Sequence, residues 1–244
     1  MSQDARHLPW DACFNVRDLG GFATRDGRTT RWRSLVRADN VCRLTWHGRT
    51  ALVRYGVKTV IDLRSKKELT LEHDAFGRPE LAGVRYVNAP QLSEEFWARW
   101  NQGMTGHEGD LLTLETCRQN VAEMFAVIAN APEGGVLFHC HAGKERTGLA
   151  TAMLLALAGV EAEAINADHV ASDVYLEPLY EAWLAQVDDP AKRERGTAHL
   201  RLNPEQLLLT LRALEDRFGG VERYLLDCGV PRVDLERVRE RLIA

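Results

Sequence analysis

The sequence lacks long apolar runs and carries no excess of positive charge. Its longest apolar stretch, Leu149 to Val160, is too short to span a membrane, and the first ten residues show no signal-peptide pattern. The formal net charge is −4, which argues against a broad surface for nucleic acid or anionic lipid. We therefore expect no nucleic-acid partner and no insertion into a membrane.

Cysteine is also scarce, and its five positions (13, 42, 117, 140 and 228) are scattered. An odd number without metal-ligand spacing predicts neither a disulfide framework nor a metal site, and we expect no cofactor. Free thiols persist in a reducing compartment, so the expected location is cytoplasmic. The chain has 244 residues, of which 45% are hydrophobic. That length can bury one core, which predicts a single domain over residues 1–244.

Short apolar runs alternate with helical patterns along the chain. The runs predict buried strands at Val57–Leu63, Val84–Asn88 and Val136–Phe138. Apolar residues at helical spacing predict helices at Thr45–Tyr55, Leu111–Ala129 and Arg146–Ala158. Strands joined by helical crossovers predict an α/β fold with a central, mostly parallel sheet flanked by helices, and further helices follow towards the C-terminus. Ligands of such sheets bind beyond the carboxyl ends of the strands.

One of these strand ends carries the most informative segment, His139-Cys140-His141-Ala142-Gly143-Lys144-Glu145-Arg146-Thr147-Gly148. Five residues between cysteine and arginine can curl so that their N–H groups converge on an anion, and the next helix adds its positive end. Arg146 supplies a planar fork that matches two phosphate oxygens. In this field Cys140 is expected to be a thiolate. The loop from His141 to Arg146 is therefore predicted to bind phosphate above a nucleophile.

The competing interpretation is that Cys140 is a buried structural cysteine, which is common at the end of a core strand. That interpretation leaves Gly143, Arg146, Thr147 and Gly148 unexplained. A charged residue at the start of an apolar helix is also costly unless it has a partner. A phosphate-binding protein without catalysis would have lost the cysteine or the arginine, and neither is lost.

The segment from Cys140 to Arg146 resembles the signature of the cysteine-dependent protein tyrosine phosphatase superfamily. Its Gly-Lys-x-Arg-Thr-Gly form is similar to the branch of bacterial tyrosine/serine phosphatases that often accept phosphoinositides. Further blocks resemble that branch, in order along the chain: Asn15–Gly21, Asp26–Arg28, Leu35–Asp39, Val60–Ser65 and Phe218–Leu225.

The resemblance implies a tyrosine-phosphatase-like fold with an extra helical lid. It also implies hydrolysis of phosphotyrosine, and of phosphoserine or phosphothreonine, through a cysteinyl-phosphate intermediate. The expected partner is thus a phosphorylated protein. A phosphoinositide or another small phosphoester is the alternative substrate of the same loop.

For each of three side chains around the loop, the sequence allows two roles. The hydroxyl of Thr147 either donates to the cysteine sulfur or satisfies backbone at the start of the helix. Lys144 either contacts further phosphates or is a solvated lysine at the loop rim. His139 precedes the nucleophile and, by strand alternation, is expected to order the loop from behind rather than to transfer protons.

The acid that protonates the leaving group is less clearly marked in the sequence. Many tyrosine phosphatases use aspartate in a Trp-Pro-Asp tripeptide, which this chain lacks. Relatives in the branch often carry aspartate between the loop lysine and arginine, where this chain has Glu145. Asp62, at a neighbouring strand end, is the second candidate, unless it pairs with an arginine such as Arg64. Glu94 and Glu95 are weaker candidates.

Outside the loop, Arg17 and Asp18 are expected to form structural hydrogen bonds. Two stretches rich in aromatic residues, Ser93–Gly109 and Val174–His199, either cover the site as lids or pack as ordinary helices.

Overall fold

The computed structural model describes residues 3–69, 81–189, 193–194 and 200–243. In this part of the chain the strands are β1 (Arg17–Asp18), β2 (Leu35–Ala38), β3 (Val57–Asp62), β4 (Arg85–Asn88) and β5 (Gly135–His139). They form one sheet in the order β1-β2-β5-β3-β4. Strands β2 to β5 run parallel, and only the short β1 is antiparallel to its neighbour. The predicted α/β fold with a mostly parallel sheet is confirmed.

The α-helices of the described residues surround this sheet. They are α1 (Trp46–Tyr55), α2 (Lys66–Leu69), α3 (Glu94–Arg99), α4 (Gly106–Thr116), α5 (Arg118–Ala129), α6 (Glu145–Leu157), α7 (Ala162–Tyr175), α8 (Glu177–Leu184), α9 (Gln206–Phe218), α10 (Val221–Asp227) and α11 (Arg232–Leu242).

The two faces of the sheet bury separate apolar clusters. One cluster includes Leu52 of α1 with Val57 and Val60 of β3. The larger cluster lies on the other face and includes residues of α5, α6, α9, α10 and α11. Helix α6 is largely buried, from Thr147 to Leu155 and at Leu157, as its mostly apolar and small residues predict.

Helix α1 begins and ends where the sequence predicts. The hydroxyl of Thr45 accepts a hydrogen bond from the backbone N–H of Gly48 at 3.3 Å, which satisfies one unpaired donor of the first turn. Gly56 ends the helix with φ of 101°, a conformation that glycine adopts without steric cost. The chain then enters β3, which continues to Asp62.

The prediction of one helix over Leu111–Ala129 is wrong, because the chain forms α4 and α5 with a break at Cys117. The φ and ψ angles of Cys117 are −112° and 26°, outside the helical range. Its sulfur is buried and accepts a hydrogen bond from the backbone N–H of Ser93 at 3.3 Å. The break allows α4 to pack on α3 and α9 while α5 packs on α11.

The parallel strands bring their carboxyl ends to one edge of the sheet. The register pairs His139 with Ala38 on one side and with Asp62 on the other, and Asp62 pairs with Asn88. Residues that follow these four positions are therefore neighbours at the edge where ligands of parallel sheets bind. Within the described residues, every helix is too short or too polar to cross a membrane.

Candidate active site

The segment His141–Lys144 forms a loop between β5 and α6, directly after Cys140. Cys140 is buried, with 2% of its surface exposed. Gly143 has φ of +66°, and a Cβ atom there would lie 2.4 Å from the carbonyl oxygen of Ala38. The loop therefore passes so close to the end of β2 that only glycine fits.

The carbonyl groups of this phosphate loop are bound from its outer side. The side-chain amide of Asn15 donates to the carbonyls of Ala142 and Gly143, each at 3.0 Å. Arg37 donates to the carbonyl of Gly143 at 2.7 Å, and the backbone N–H of Asn40 donates to the carbonyl of His141 at 3.1 Å. When the carbonyls of such a loop are bound by side chains and backbone around it, its N–H groups are left to converge on an anion.

A buried ion network fixes the side chains that hold the loop. Asp168 of α7 accepts from Nε of Arg17 at 3.0 Å and from Nη1 of Arg37 at 2.7 Å, and Arg17 also donates to Asn15. Burial alone would raise the pKa of Asp168, but the two guanidinium groups hold it well below its ordinary value. Burial and the charge of Arg17 lower the pKa of Arg37 to about 10.

This network gives Arg17 the structural role that the sequence predicts. Asp18 is structural too, since it accepts from the backbone N–H of Gly20 at 2.6 Å and of Arg33 at 2.8 Å. Asp168 was missed by sequence reasoning, because it lies 151 positions from Arg17 and a lone aspartate within a helical pattern carries no motif.

Arg146 stands in the first turn of α6 and forms a two-pronged ion pair with Glu68 of α2. Its Nη1 and Nη2 atoms lie 2.8 Å from the two carboxylate oxygens, and Ser65 donates to the same carboxylate through its N–H at 2.8 Å and its hydroxyl at 2.9 Å. Burial opposes ionisation of Glu68, but Arg146 outweighs it and lowers the pKa to about 2.

Burial would lower the pKa of Arg146, yet the charges of Cys140 and Glu68 raise it above its ordinary value. The guanidinium is therefore charged and fixed in orientation. Sequence reasoning missed Glu68, although a signal was present: Ser65-x-x-Glu68 is the pattern of a capping box.

A cavity of about 530 Å³ opens beside Arg146. Its wall is mainly aromatic and aliphatic, and it includes Leu92, Phe96, Trp97, Trp100, Met104, Leu149 and Leu202. The predicted stretch Ser93–Gly109 therefore forms a wall next to the phosphate loop. It is ordered by two helix caps: Ser93 accepts from the N–H of Phe96 at 3.1 Å, and Thr105 forms a capping box with Glu108.

Part of the second stretch, Val174–His199, also packs on the phosphate loop. The ring of Trp183 in α8 stacks on His141, with centroids 5.8 Å apart, and Ala142 packs against a cluster that contains Tyr180. Residues 190–192 and 195–199 lie outside the described chain.

Lys144 is 4% exposed, so it is not the solvated rim lysine of one prediction. Its ammonium group donates to the carbonyl of Leu200 at 2.5 Å and lies 3.1 Å from a carboxylate oxygen of Glu145. The ring centroid of Tyr180 is 5.5 Å away. Glu145 itself is on the cavity wall beside Arg146, and its side chain is 54% exposed.

Asp62 is completely buried and surrounded by donors. Its carboxylate accepts from Arg64 Nη2 at 2.7 Å and from the hydroxyl of Tyr86 at 2.9 Å, and His139 Nε2 lies 3.5 Å away. Burial opposes ionisation, but His139 and Arg64 lower the pKa of Asp62. Burial also lowers the pKa of His139, whose Nδ1 is 3.0 Å from the carbonyl of Cys140.

The three remaining candidates differ in their surroundings. The hydroxyl of Thr147 is buried and has no hydrogen-bond partner among the described residues. Glu94 and Glu95 lie in the first turn of α3, and neither contributes to the wall of the cavity.

Comparison with known proteins assigns the chain to a family. The profile described as "Tyrosine phosphatase family" matches residues 8–244. A protein of Cupriavidus necator, whose name assigns it to the tyrosine-protein phosphatases, is 31% identical over 100% of this chain and 91% of its own length. The tyrosine-protein phosphatase of Nostoc commune is 30% identical, with 86% of this chain and 74% of that protein aligned.

A third relative is the triple specificity protein phosphatase PtpB of Mycobacterium tuberculosis. It is 28% identical over 98% of this chain and 99% of its own length. Among solved structures, P. aeruginosa TpbA aligns with 72% of this chain and 85% of its own, at 20% identity and a TM-score of 0.37. The family match covers nearly the whole sequence, so the chain belongs to the tyrosine phosphatase family.

Proposed function

We propose that the protein hydrolyses phosphate monoesters, with Cys140 as nucleophile and Arg146 as the residue that binds phosphoryl oxygens. The observation that carries the proposal is the arrangement of the phosphate loop. Directly after Cys140, the carbonyl groups of His141, Ala142 and Gly143 are bound by Asn15, Arg37 and Asn40. A loop with that geometry presents N–H groups to an anion directly above the sulfur.

The reaction has two steps. In the first, the Cys140 sulfur attacks phosphorus, an S–P bond forms, and the bond to the leaving oxygen breaks as that oxygen takes up a proton. The loop amides and Arg146 stabilise charge on the remaining phosphoryl oxygens. In the second step water attacks phosphorus, the S–P bond breaks, and phosphate and the thiolate are released.

Thr147 is the proposed donor to the sulfur as it leaves in the second step. Its hydroxyl is buried without a partner, which supports this role over a hydroxyl bonded to the backbone. A hydrogen bond to the thiolate would make the sulfur a better leaving group.

The proposed substrate class is phosphotyrosine in a protein. The cavity beside Arg146 has the aromatic wall that suits a phenyl ring, and membership of the family agrees with this class. The alternative, a phosphoinositide, would need cations for its further phosphates. Lys144 already binds the carbonyl of Leu200 and faces Glu145, so the alternative is not favoured. Phosphoserine and phosphothreonine remain proposed as slower substrates, because they lack the ring.

A structural role is proposed for Asp62, because its contacts with Arg64, Tyr86 and His139 already use its oxygens.

Residues 1–244 are proposed to act as one phosphatase domain, supported by the family match over residues 8–244. The five cysteines lie within the described residues and none of them forms a disulfide there, which supports the reducing cytoplasm as the location, since the nucleophile must stay reduced.

The substitution Cys140→Ser tests the proposal. We expect hydrolysis of 4-nitrophenyl phosphate to fall by ~10⁴-fold or more, because the hydroxyl is a far weaker nucleophile than a thiolate. Binding of inorganic phosphate, measured by calorimetry, should persist because the loop amides and Arg146 are unchanged. Cys117→Ser is the matched control at a buried cysteine outside the site. Turnover near the wild-type rate in Cys140→Ser would refute the mechanism.

The substrate class is tested by turnover of a phosphotyrosine peptide, the matched phosphoserine peptide and a phosphoinositide. We expect the highest kcat/KM for phosphotyrosine. A higher value for the phosphoinositide would replace the proposed substrate by the alternative.

A further inference from the structure

The cavity beside Arg146 contains a second carboxyl group, that of Asp110 in α4, which has no part in the roles above. Asp110 is 5% exposed. One of its oxygens, Oδ2, accepts from the side-chain amide of Gln206 at 3.0 Å and from the hydroxyl of Thr210 at 3.1 Å. The other oxygen, Oδ1, has no hydrogen-bond partner among the described residues, and Asp110 lines the same cavity as Arg146.

The surroundings of Asp110 favour its neutral form. Removal from water is the main effect and raises the pKa of Asp110 to about 7, and the negative charge of Glu145 acts in the same direction. The hydrogen bonds from Gln206 and Thr210 oppose this shift without cancelling it. A carboxyl group that is largely protonated near neutral pH can give up a proton during a reaction.

The charged groups that face Asp110 across the cavity are Glu145 and Arg146 of α6 and Arg201. On its own helix, His107 reaches Thr210, with Nδ1 and the hydroxyl oxygen 3.0 Å apart, and burial lowers the pKa of this histidine. The groups that α9 presents to Asp110 are neutral. Charged residues of α3 and α5 do not line the cavity.

Glu145 is the other carboxyl group on the cavity wall, among the residues described. It is half exposed, and the ammonium group of Lys144 lies 3.1 Å from it. Asp110 is therefore the buried carboxyl group of this cavity and Glu145 the exposed one, and burial in an apolar site is a common feature of catalytic acids.

We propose that Asp110 is the proton donor to the leaving oxygen, a role that rests on the phosphatase function proposed above. As the bond between phosphorus and the leaving oxygen breaks, the Asp110 proton moves to that oxygen and Asp110 becomes a carboxylate. In the second step the carboxylate takes a proton from the attacking water, so Asp110 is protonated again when phosphate leaves. Gln206 and Thr210 are positioning residues, since they fix Oδ2 and leave Oδ1 to the cavity.

The substitution Asp110→Asn tests the role through its dependence on the leaving group. Asparagine keeps the shape and an acceptor oxygen for Gln206 and Thr210, but it has no acidic proton. We expect kcat/KM for phenyl phosphate to fall by ~10²-fold or more, and kcat/KM for 4-nitrophenyl phosphate by less than ~10-fold, because nitrophenolate leaves without a proton. A merely structural role would lower both values equally.

The pH profile is the second measurement. In the wild-type protein kcat/KM for phenyl phosphate should fall as the pH rises through about 7, since Asp110 loses the proton that it must donate. This basic limb should be absent in Asp110→Asn and present, at a shifted pH, in Asp110→Glu. The proposal would be overturned if Asp110→Asn lost kcat/KM equally for both substrates and still showed the decrease at high pH.

Glu145→Gln is the matched variant of the other carboxyl group. It should lower kcat/KM by a similar factor for both substrates. Leaving-group dependence in Glu145→Gln, and none in Asp110→Asn, would restore the acid predicted from the sequence and overturn the role of Asp110.

The folded state is checked by phosphate binding, which Asp110→Asn should retain. If Asp110→Asn fails to fold, Asp110→Glu decides: a displaced basic limb supports the proposal, and an unmoved limb overturns it. Cys140→Ser separates the two proposals, because activity in that variant would refute the phosphatase mechanism whatever Asp110 does.

Discussion

Arg146 offers five N–H donors, and two of them are used by the ion pair with Glu68. In the proposed mechanism the remaining donors bind phosphoryl oxygens, and their direction is set by the pair. Glu68 is in turn held by Ser65. An approaching phosphate therefore meets a guanidinium that has already lost most of its freedom, which lowers the entropic cost of binding.

Substitutions of this pair should lower activity without unfolding the protein. Arg146→Lys keeps the charge but loses the fork, so kcat/KM should fall by ~10²-fold or more. Glu68→Gln keeps one acceptor oxygen. A ~10-fold loss of kcat/KM is expected because the Arg146 guanidinium is then less well oriented. The measurement is steady-state hydrolysis of 4-nitrophenyl phosphate, with Glu115→Gln, in an exposed pair with Arg99, as control.

The pH dependence of this pair has a definite sign. The pKa of Glu68 is lowered from 4.5 to about 2, so the pair is complete above pH 4.5 and is lost only as the pH falls towards 2. The Glu68→Gln effect should therefore be constant across neutral pH. A loss that grows between pH 6 and 8 would contradict this account.

The sequence could reveal Cys140 and Arg146 because their spacing within one loop is itself the signal. Glu68, Asp110 and Asp168 could not be assigned in the same way, since each gains its role from a partner brought near by the fold. Asp110, for example, lies 96 positions from Gln206. Its own neighbours in sequence give no hint that a carboxyl group is removed from water there.

At the scale of elements, the phosphate loop depends on the close approach of Gly143 to the end of β2. A Cβ atom at this position would lie 2.4 Å from the Ala38 carbonyl, and φ is +66°. In the first turns of α6, which follows the loop, a Cβ atom at Gly148 would lie 2.5 Å from His169 Nδ1. These contacts explain why both glycines occur in the motif.

Gly143→Ala should therefore destabilise the loop more than the rest of the protein. We expect a loss of ~1–3 kcal/mol in the free energy of unfolding, together with a large loss of phosphate affinity, because the amides no longer converge. Gly109 lies in a helix, and a Cβ atom there would meet nothing within 4 Å. Gly109→Ala should therefore leave the free energy of unfolding, measured in urea, unchanged or higher. Equal behaviour of the two variants would contradict the steric argument.

Elements were predictable where the apolar pattern and the end signals agree, as in α1 with Thr45 and Gly56. The α4–α5 break was not, because apolar residues continue at helical spacing through Cys117. The contact that breaks the helix there, from Ser93 to the Cys117 sulfur, is tertiary. The predicted lids lie in part outside the described residues, and their motion stays a prediction.

At the scale of the whole molecule, Asp168 connects α7 to strands β1 and β2 through its ion pairs with Arg17 and Arg37. All three side chains are buried. Asp168→Asn leaves two buried guanidinium groups without a carboxylate, so the free energy of unfolding should fall by ~3–5 kcal/mol. Urea unfolding at pH 7 measures this change in the free energy of unfolding. Glu161→Gln, in an exposed pair with Arg25, is the control and should change little.

The same carboxylate should contribute to acid unfolding. Its pKa is held below the ordinary value of 3.8, so its stabilisation is complete above that pH and is lost as the pH falls below it. As the pH falls through that acidic range, the free energy of unfolding of the wild-type protein should decrease. The free energy of unfolding of Asp168→Asn should decrease less over the same range. Identical slopes for the two proteins would contradict the assignment.

The order of the sheet has a consequence for how the protein is made. Of the strands in the described chain, β5 is the last to leave the ribosome, yet it forms the hydrogen bonds that join β2 to β3. Until β5 arrives, a nascent chain exposes two unpaired strand edges with apolar side chains, which favour aggregation. The yield of native enzyme should therefore depend on chaperones and on the speed of translation more than on the stability of the finished fold.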